Sequence, residues 1–426
     1  MMRRAMIAGM ILLGAQAAGA ASPTLAGAFH AARYGDIGPL EAGLPHIRDH
    51  ALATLARTEI AAARMDRAGM RRALAAYRLT GDRDPTRRAR AWSLAASAAF
   101  AEGDYTAAAA AARHWRDALR QEHNSQDVAD ADQLSELASL LALAPRMTVA
   151  RHDGATVPTE RDAAGLLRAI ATIDGIAQSA VLDTGANLST VSASAAARLH
   201  LRMLDGMASV SSATRQSVAT RIGIADRLDF AGYSFRNVPF LVLDDAQLRI
   251  PLANDYAIDA IIGFPVFHAM GSITFAKGRF TPGLPADVAR SSSLRMHESD
   301  LFVALRIGAE PVALQLDTGA AGTSLSAEFA RDHSKLVAGL PQSDQHIAGA
   351  GGVSAQHIAL WPAVPVAIGG STVLLDRIPI LTSRAGDTDR KNYGSIGQDL
   401  LGRFASYTID FRAMRFSVAP LEPPTN

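Results

Sequence analysis

The sequence predicts a multidomain protein of α plus all-β class, an N-terminal helical array followed by two β lobes related by pseudo-two-fold symmetry. The first observation behind this is a stretch of Ala- and Arg-rich sequence from about 24 to 144. It has few β-branched residues and places its apolar residues at helical spacing. The second is that the remainder reads as one unit written twice, in short half-apolar runs separated by Gly, Asp or Asn. The third is size: 426 residues, 49% of them hydrophobic, suffice for two or three domains with real cores.

The N-terminus comes first. Arg3 and Arg4 precede an apolar run at 5–15, and small residues at 17–21 lead into Ser22-Pro23. A charged start, a brief apolar stretch and a small-residue end read as a secretory signal peptide over 1–20. A membrane span needs about 20 apolar residues, and this run is too short. Cleavage after Ala20 leaves 406 residues in which no segment is long and apolar enough to cross a bilayer. The expected location is periplasmic or secreted. Composition narrows the function. With 42 Lys and Arg against 41 Asp and Glu, no basic excess exists to attract phosphate backbones, which argues against a nucleic-acid binder. The absence of cysteine removes disulfides, Cys-ligated metals and cysteine nucleophiles together.

The helical domain is expected over 21–145. Its clearest part is a helix containing Trp92 and Ala96 that runs into Gly103-Asp104, with a second helix opening at Tyr105. Trp92, Ala96, Gly103, Tyr105 and Ala108 resemble the spacing of a tetratricopeptide repeat, and Gly35-Asp36 and Gly81-Asp82 suggest further turns of that kind. One convincing unit also fits a plain helical bundle, so both readings stand. Trp92 and Tyr105 are expected in the core. Such an array could receive a protein partner.

The duplication starts from Asp183-Thr184-Gly185-Ala186 and Asp317-Thr318-Gly319-Ala320, each leaving an apolar run and 134 residues apart. Each is followed by two variable residues, two hydroxyl residues, an aliphatic residue and Ser. Ile261-Ile262-Gly263 and Ser395-Ile396-Gly397 end 80 residues after their respective Asp. Phe275-x-x-x-Arg279-Phe280 answers Phe411-x-x-x-Arg415-Phe416 at an offset of 136. Strands are expected at 166–174, 222–229, 235–243, 301–307, 364–368 and 373–381, and short helices at 193–199 and 327–333. The lobes are placed at 146–288 and 289–426, divided where Pro, Gly and Ser cluster near 282–293.

An Asp leaving an apolar strand, then Thr and Gly, has a physical reading. Gly lets the backbone turn where a Cβ would clash, and the Thr hydroxyl can bond across to an opposing loop. Two such loops meeting at a pseudo-two-fold axis bring two carboxylates within hydrogen-bond reach. Carboxylates so close cannot both ionise, so they share a proton. One then serves as base toward a water, and the other donates a proton to a carbonyl oxygen.

These paired motifs resemble those of the retropepsin-like and pepsin-like aspartic peptidases, over about 147–420. The Ala after each Gly is nearer the retroviral and bacterial retropepsin-like members. The resemblance implies a bilobal acid-protease-like fold and makes Asp183 and Asp317 the catalytic dyad. It makes Thr184 and Thr318 an inter-loop grip, with Gly185, Ala186, Gly319 and Ala320 shaping the loops. Ile262, Gly263, Ile396 and Gly397 would support them from behind. The substrate would be a peptide or protein laid between the lobes, and neither metal nor cofactor is called for. Two departures are visible: no Tyr occurs at 203–221, where a first-lobe flap is expected, and Ser395 replaces an aliphatic residue. Gly349, Gly351 and Gly352 mark the expected second-lobe flap.

Other signals are weaker. Gly349-x-Gly351-Gly352 lacks the full dinucleotide-binding pattern, and no H-E-x-x-H, G-x-S-x-G or S-x-x-K occurs. His346 and His357 are expected at the surface or on the flap, Asp244-Asp245 in a loop, and Trp361 either in the cleft or packed on a strand. Two functions follow: an exported aspartic endopeptidase, or a non-catalytic peptide-binding scaffold on the same fold. Both Asp, both Thr and both Gly being present favours the enzyme.

Overall fold

The computed structural model describes residues 24–120, 125–211, 217–249, 256–285, 291–349, 352–382 and 392–420. The expected signal peptide lies outside the described residues. Seven α-helices precede the first described strand: α1 (Leu25–Arg33), α2 (Gly38–Gly43), α3 (His50–Ala63), α4 (Arg67–Leu79), α5 (Pro85–Ala101), α6 (Tyr105–Arg120) and α7 (Ser125–Leu141). Their ends follow from local chemistry. Asp49, Asp66 and Asp84 accept the amides of Leu52, Gly69 and Arg87, capping α3, α4 and α5. Gly35, Gly81 and Gly103 take φ of 82°, 66° and 69°, so each Gly-Asp pair singled out above is a turn after a helix. Small residues bring α5 and α6 together, with Ala96, Ala108 and Ala112 wholly buried. Tyr105 is in the core as expected. Trp92 is half-buried, stacked on His114 at 4.4 Å with Arg78 over its ring.

The remainder forms two large sheets. In the first, strand Ile176–Leu182 runs into Asp183 and lies parallel to Ala260–Ile262. That short strand is antiparallel to Ser189–Ser192, which in turn is parallel to the end of Tyr233–Leu243. The second sheet repeats this arrangement. Glu310–Leu316 lies parallel to Gly394–Ile396, which is antiparallel to Ser324–Leu325, itself parallel to Ser371–Leu381. The final Ser of each motif, Ser192 or Ser326, then caps a short helix, Ala193–Arg198 or Ala327–Asp332. Duplicated sequence thus gives duplicated topology: a helical region followed by two β lobes in a bilobal, acid-protease-like arrangement.

Three features were not foreseen. The first-lobe hairpin Ser272–Ala276 and Arg279–Pro282 belongs to the second sheet, because Ser272–Ala276 pairs antiparallel with Phe404–Asp410. The lobes therefore share a sheet across the expected boundary. Thr274 faces Thr408 in this register with hydroxyls 3.0 Å apart, at the same 134-residue offset as the paired Asp. The aromatic mark also shifts. Phe280 pairs with Phe275, but Phe416 pairs with Ile409, so Phe411 falls in a longer turn and is not the counterpart of Phe275.

The third feature is how the helices dock. Phe100, Tyr105, Leu137 and Leu141 share one apolar cluster with Leu188, Ala208, Ile222 and Ile224 of the first lobe. Arg90 lies between Glu59 of α3 and Glu298 of the second lobe, and Tyr34 stacks on Tyr393 at 4.4 Å. The helical region is buried against both lobes.

Candidate functional site

The site begins where two strands end. Strands 176–182 and 310–316 are buried at Leu182 and Leu316, so their next residues emerge at the junction of the lobes. There the pattern repeats: Asp183 and Asp317 are partly exposed, while Thr184 and Thr318 are buried at 1% and 0% exposure. The loops grip each other reciprocally. The amide of Thr184 donates to Thr318 Oγ1 at 2.9 Å, and the amide of Thr318 to Thr184 Oγ1 at 3.3 Å. Thr184 Oγ1 donates to the Leu316 carbonyl at 3.0 Å, and Thr318 Oγ1 to the Leu182 carbonyl at 2.8 Å. Each hydroxyl accepts from the opposing loop and donates to the strand that leads into that same loop, so neither buried hydroxyl is left unpaired.

This grip brings the two carboxyls into mutual hydrogen-bond contact. Gly185 and Gly319 make room for it. A Cβ on Gly185 would lie 2.8 Å from Asp317 Cγ, and one on Gly319 only 2.3 Å from Asp183 Cγ. Each glycine also donates its amide to its own Asp, at 2.7 and 2.9 Å, and Ala186 adds a further amide to Asp183 at 3.2 Å. These amides hold the carboxyl planes in place.

The Ile-Gly elements stand behind the loops. The Ile262 carbonyl accepts the Asp183 amide at 3.0 Å, and the Ile396 carbonyl accepts the Asp317 amide at 3.2 Å. Gly263 and Gly397 pass so close that a Cβ would meet the Ala186 carbonyl oxygen at 2.7 Å and the Ala320 carbonyl oxygen at 2.8 Å. Ser395 is tolerated because its backbone carries the pairing, in register with Gln315.

Several supporting groups escaped the sequence reading. Ser189 Oγ accepts the Gly263 amide at 3.1 Å, and Thr323 Oγ1 accepts the Gly397 amide at 3.2 Å. These are the first of the two hydroxyl residues shared by the motifs, so the duplication itself held the signal. Gln398 Nε2 donates to the Thr318 carbonyl at 2.8 Å, and Asp399 accepts from Thr323 N and Oγ1 at 2.8 and 2.7 Å. No repeated pattern marks these two.

The hairpins expected as flaps are both present in part. In the first lobe Ala208–Ser211 pairs with the start of Ser217–Phe230, and α7 packs against it. In the second, Gln342–Gly349 pairs with Gly352–Ile368, and Gly349 is registered with Gly352. Gly351 lies outside the described residues. His357 is exposed at the base of this hairpin and bonds Asp344 at 2.8 Å. Trp361 packs near Phe329 and Gly308, as a strand residue. Asp244 caps and Asp245 opens a short 3₁₀ helix, Asp245–Leu248, where a loop was expected. Asp245 Oδ1 accepts the Ser194 amide at 3.0 Å, and no group of three potential metal ligands occurs among the described residues.

Electrostatics separates Asp183 from an ordinary carboxylate. Burial first, and the like charge of Asp317 second, hold its carboxyl well above the usual range, against the pull of the Gly185 and Ala186 amides. A group raised on folding binds its proton more tightly in the folded state. Its stabilising contribution is complete below the unfolded value near 3.8 and is lost as pH rises through the folded value. Asp183→Asn cannot suffer that loss. Thermal melts of the two proteins should nearly coincide near pH 4 and diverge toward pH 7, with the variant the more stable. Parallel pH profiles would contradict this account of the pair.

Comparison with known proteins follows this geometry. No curated protein matches the chain. Among solved structures, basic 7S globulin from soybean aligns with 62% of this chain and 94% of its own, at 12% identity and a TM-score of 0.37. Residues 169–266 match the sequence model of a family described as aspartyl protease, a segment that holds Asp183-Thr184-Gly185 and Ile261-Ile262-Gly263.

Proposed function

We propose that the chain is an exported aspartic endopeptidase that hydrolyses peptide bonds with a water activated between Asp183 and Asp317. The observation that carries this reading is the reciprocal grip of Thr184 and Thr318, which sets two partly exposed carboxyls in contact. In this reading the dyad holds one proton at working pH, as the raised Asp183 favours. The ionised carboxylate takes a proton from the water as it attacks the carbonyl carbon. The protonated partner donates to the carbonyl oxygen. As the C–N bond breaks, the proton taken from the water passes to the leaving amine and the hydroxyl of the intermediate returns its proton to the dyad. An extended peptide would lie under the hairpins, held through backbone hydrogen bonds.

Two further parts belong to the proposal. The signal peptide would send the mature chain to the periplasm or beyond, which N-terminal sequencing of exported protein checks. The helical region would be tetratricopeptide-like and receive a protein partner. Its support is the wholly buried Ala96 and Ala108 at the α5–α6 contact and the turn at Gly103.

The decisive experiment incubates mature protein with a denatured protein or peptide library from acidic to neutral pH, read by mass spectrometry. Wild type should produce fragments. Asp183→Asn and Asp317→Asn should each lower the rate by about 10²–10⁴-fold, the usual worth of a positioned acid or base. Identical fragment patterns from all three would end the peptidase reading. A folded wild type that cuts nothing would favour the peptide-binding scaffold.

A further inference from the structure

Away from the dyad, a pocket of about 360 Å³ opens where the helical region meets the sheet shared by the lobes. Its lining includes Arg64, Arg295, Arg412 and Arg415, together with the consecutive Ser291, Ser292 and Ser293. Three chain segments supply these guanidiniums. Arg64 follows α3, Arg295 lies on strand Ser292–His297, and Arg412 and Arg415 belong to the turn and strand after Phe404–Asp410.

Carboxylates do not balance this charge. Glu41 bonds Arg64 at 2.8 Å and stands 3.8 Å from Arg295, and Asp36 adds a weaker attraction. Asp410 is near the turn, but its Oδ1 already accepts the amides of Arg412 and its neighbour Ala413, each at 3.0 Å. Neither Arg412 nor Arg415 has an ion-pair partner among the described residues. Arg295 is half-buried, and burial holds its pKa below the ordinary guanidinium value; Glu41 pulls it back up, and the charge of Arg64 pushes it further down. The Arg412 guanidinium packs beside Gly271, its Nε 2.5 Å from where a Cβ on that residue would stand.

We propose that this pocket binds a phosphoryl group, carried either by a small soluble molecule or by a phospholipid headgroup. Guanidinium forks match tetrahedral oxyanions bidentately, and several converging on one pocket outbid a single ammonium point charge. Ser292 Oγ accepts the Gly369 amide at 2.8 Å, which leaves its own hydrogen to donate. The volume exceeds that of a bare phosphate and suits a small phosphorylated molecule. A ligand there would tie the end of α3 to the shared sheet. The proposal does not depend on the peptidase reading.

The test uses the full mature chain at about 0.15 M ionic strength, where surface attraction is largely screened. Inorganic pyrophosphate is titrated by calorimetry. In parallel, the protein is sedimented with phosphatidylcholine vesicles that contain or lack phosphatidic acid. Binding of pyrophosphate points to a soluble ligand; binding of the phosphatidic acid vesicles without a pyrophosphate response points to a headgroup. The paired change Arg412→Gln and Arg415→Gln, both exposed residues, should weaken whichever binding occurs by at least tenfold. Arg64→Gln, on the opposite wall, gives a second reading if the paired variant misfolds. No binding of either probe, or binding unchanged in folded variants, overturns the proposal.

Discussion

Gly319→Ala is expected to abolish cleavage although it removes no functional group. The added Cβ would stand 2.3 Å from Asp183 Cγ, inside any permissible contact, so either the loop or the Asp183 carboxyl must move. A displacement near 1 Å at a reacting group costs on the order of 10²-fold, and a broken dyad costs more. Gly185→Ala should be milder, because its Cβ would meet Asp317 Cγ at 2.8 Å. The check is the peptide-library rate of each variant beside its circular dichroism. A folded Gly319→Ala protein that cleaves at the wild-type rate would show that the two carboxyls do not act as a pair.

The second large effect is on stability. Thr318→Val keeps the shape of the side chain but loses its donation to the Leu182 carbonyl and its acceptance of the Thr184 amide. Both orphaned groups are buried. At about 1–3 kcal/mol for each buried polar group left unpaired, the cost is about 2–6 kcal/mol. Thr184→Val should cost less, since the amide bond it accepts is longer, 3.3 against 2.9 Å. Urea denaturation of both single variants and the double would measure this. The costs should be non-additive, because each change already loosens the loop the other Thr grips. A Thr318→Val change below about 1 kcal/mol would mean that the inter-loop bonds add little to the stability the shared sheet already provides.

How much of this was legible depends on the range of the forces involved. Capping Asp, turn Gly and the N-cap Ser residues act within a few positions, so helix ends and loop shapes could be read directly. The dyad was legible for a different reason: duplication wrote the same local instruction twice, and two copies imply an axis between them. The same repetition carried Ser189 and Thr323, whose role became clear only when Gly263 and Gly397 were seen beside them. Gln398 and Asp399 serve one lobe alone and left no such trace.

What the amino-acid sequence determined by itself was the order of the parts, the helical region then two equivalent lobes, and the pair of Asp loops. Only the tertiary structure decided that the lobes share a sheet, through strands paired across more than a hundred residues. It alone brought Leu188 and Ile222 under α6 and α7, and Arg64 to the same pocket as Arg412. Backbone pairing and apolar burial accept many partners of similar shape, so neither leaves a local motif. The choice is made when the whole chain closes, and the two carboxyls meet because of it.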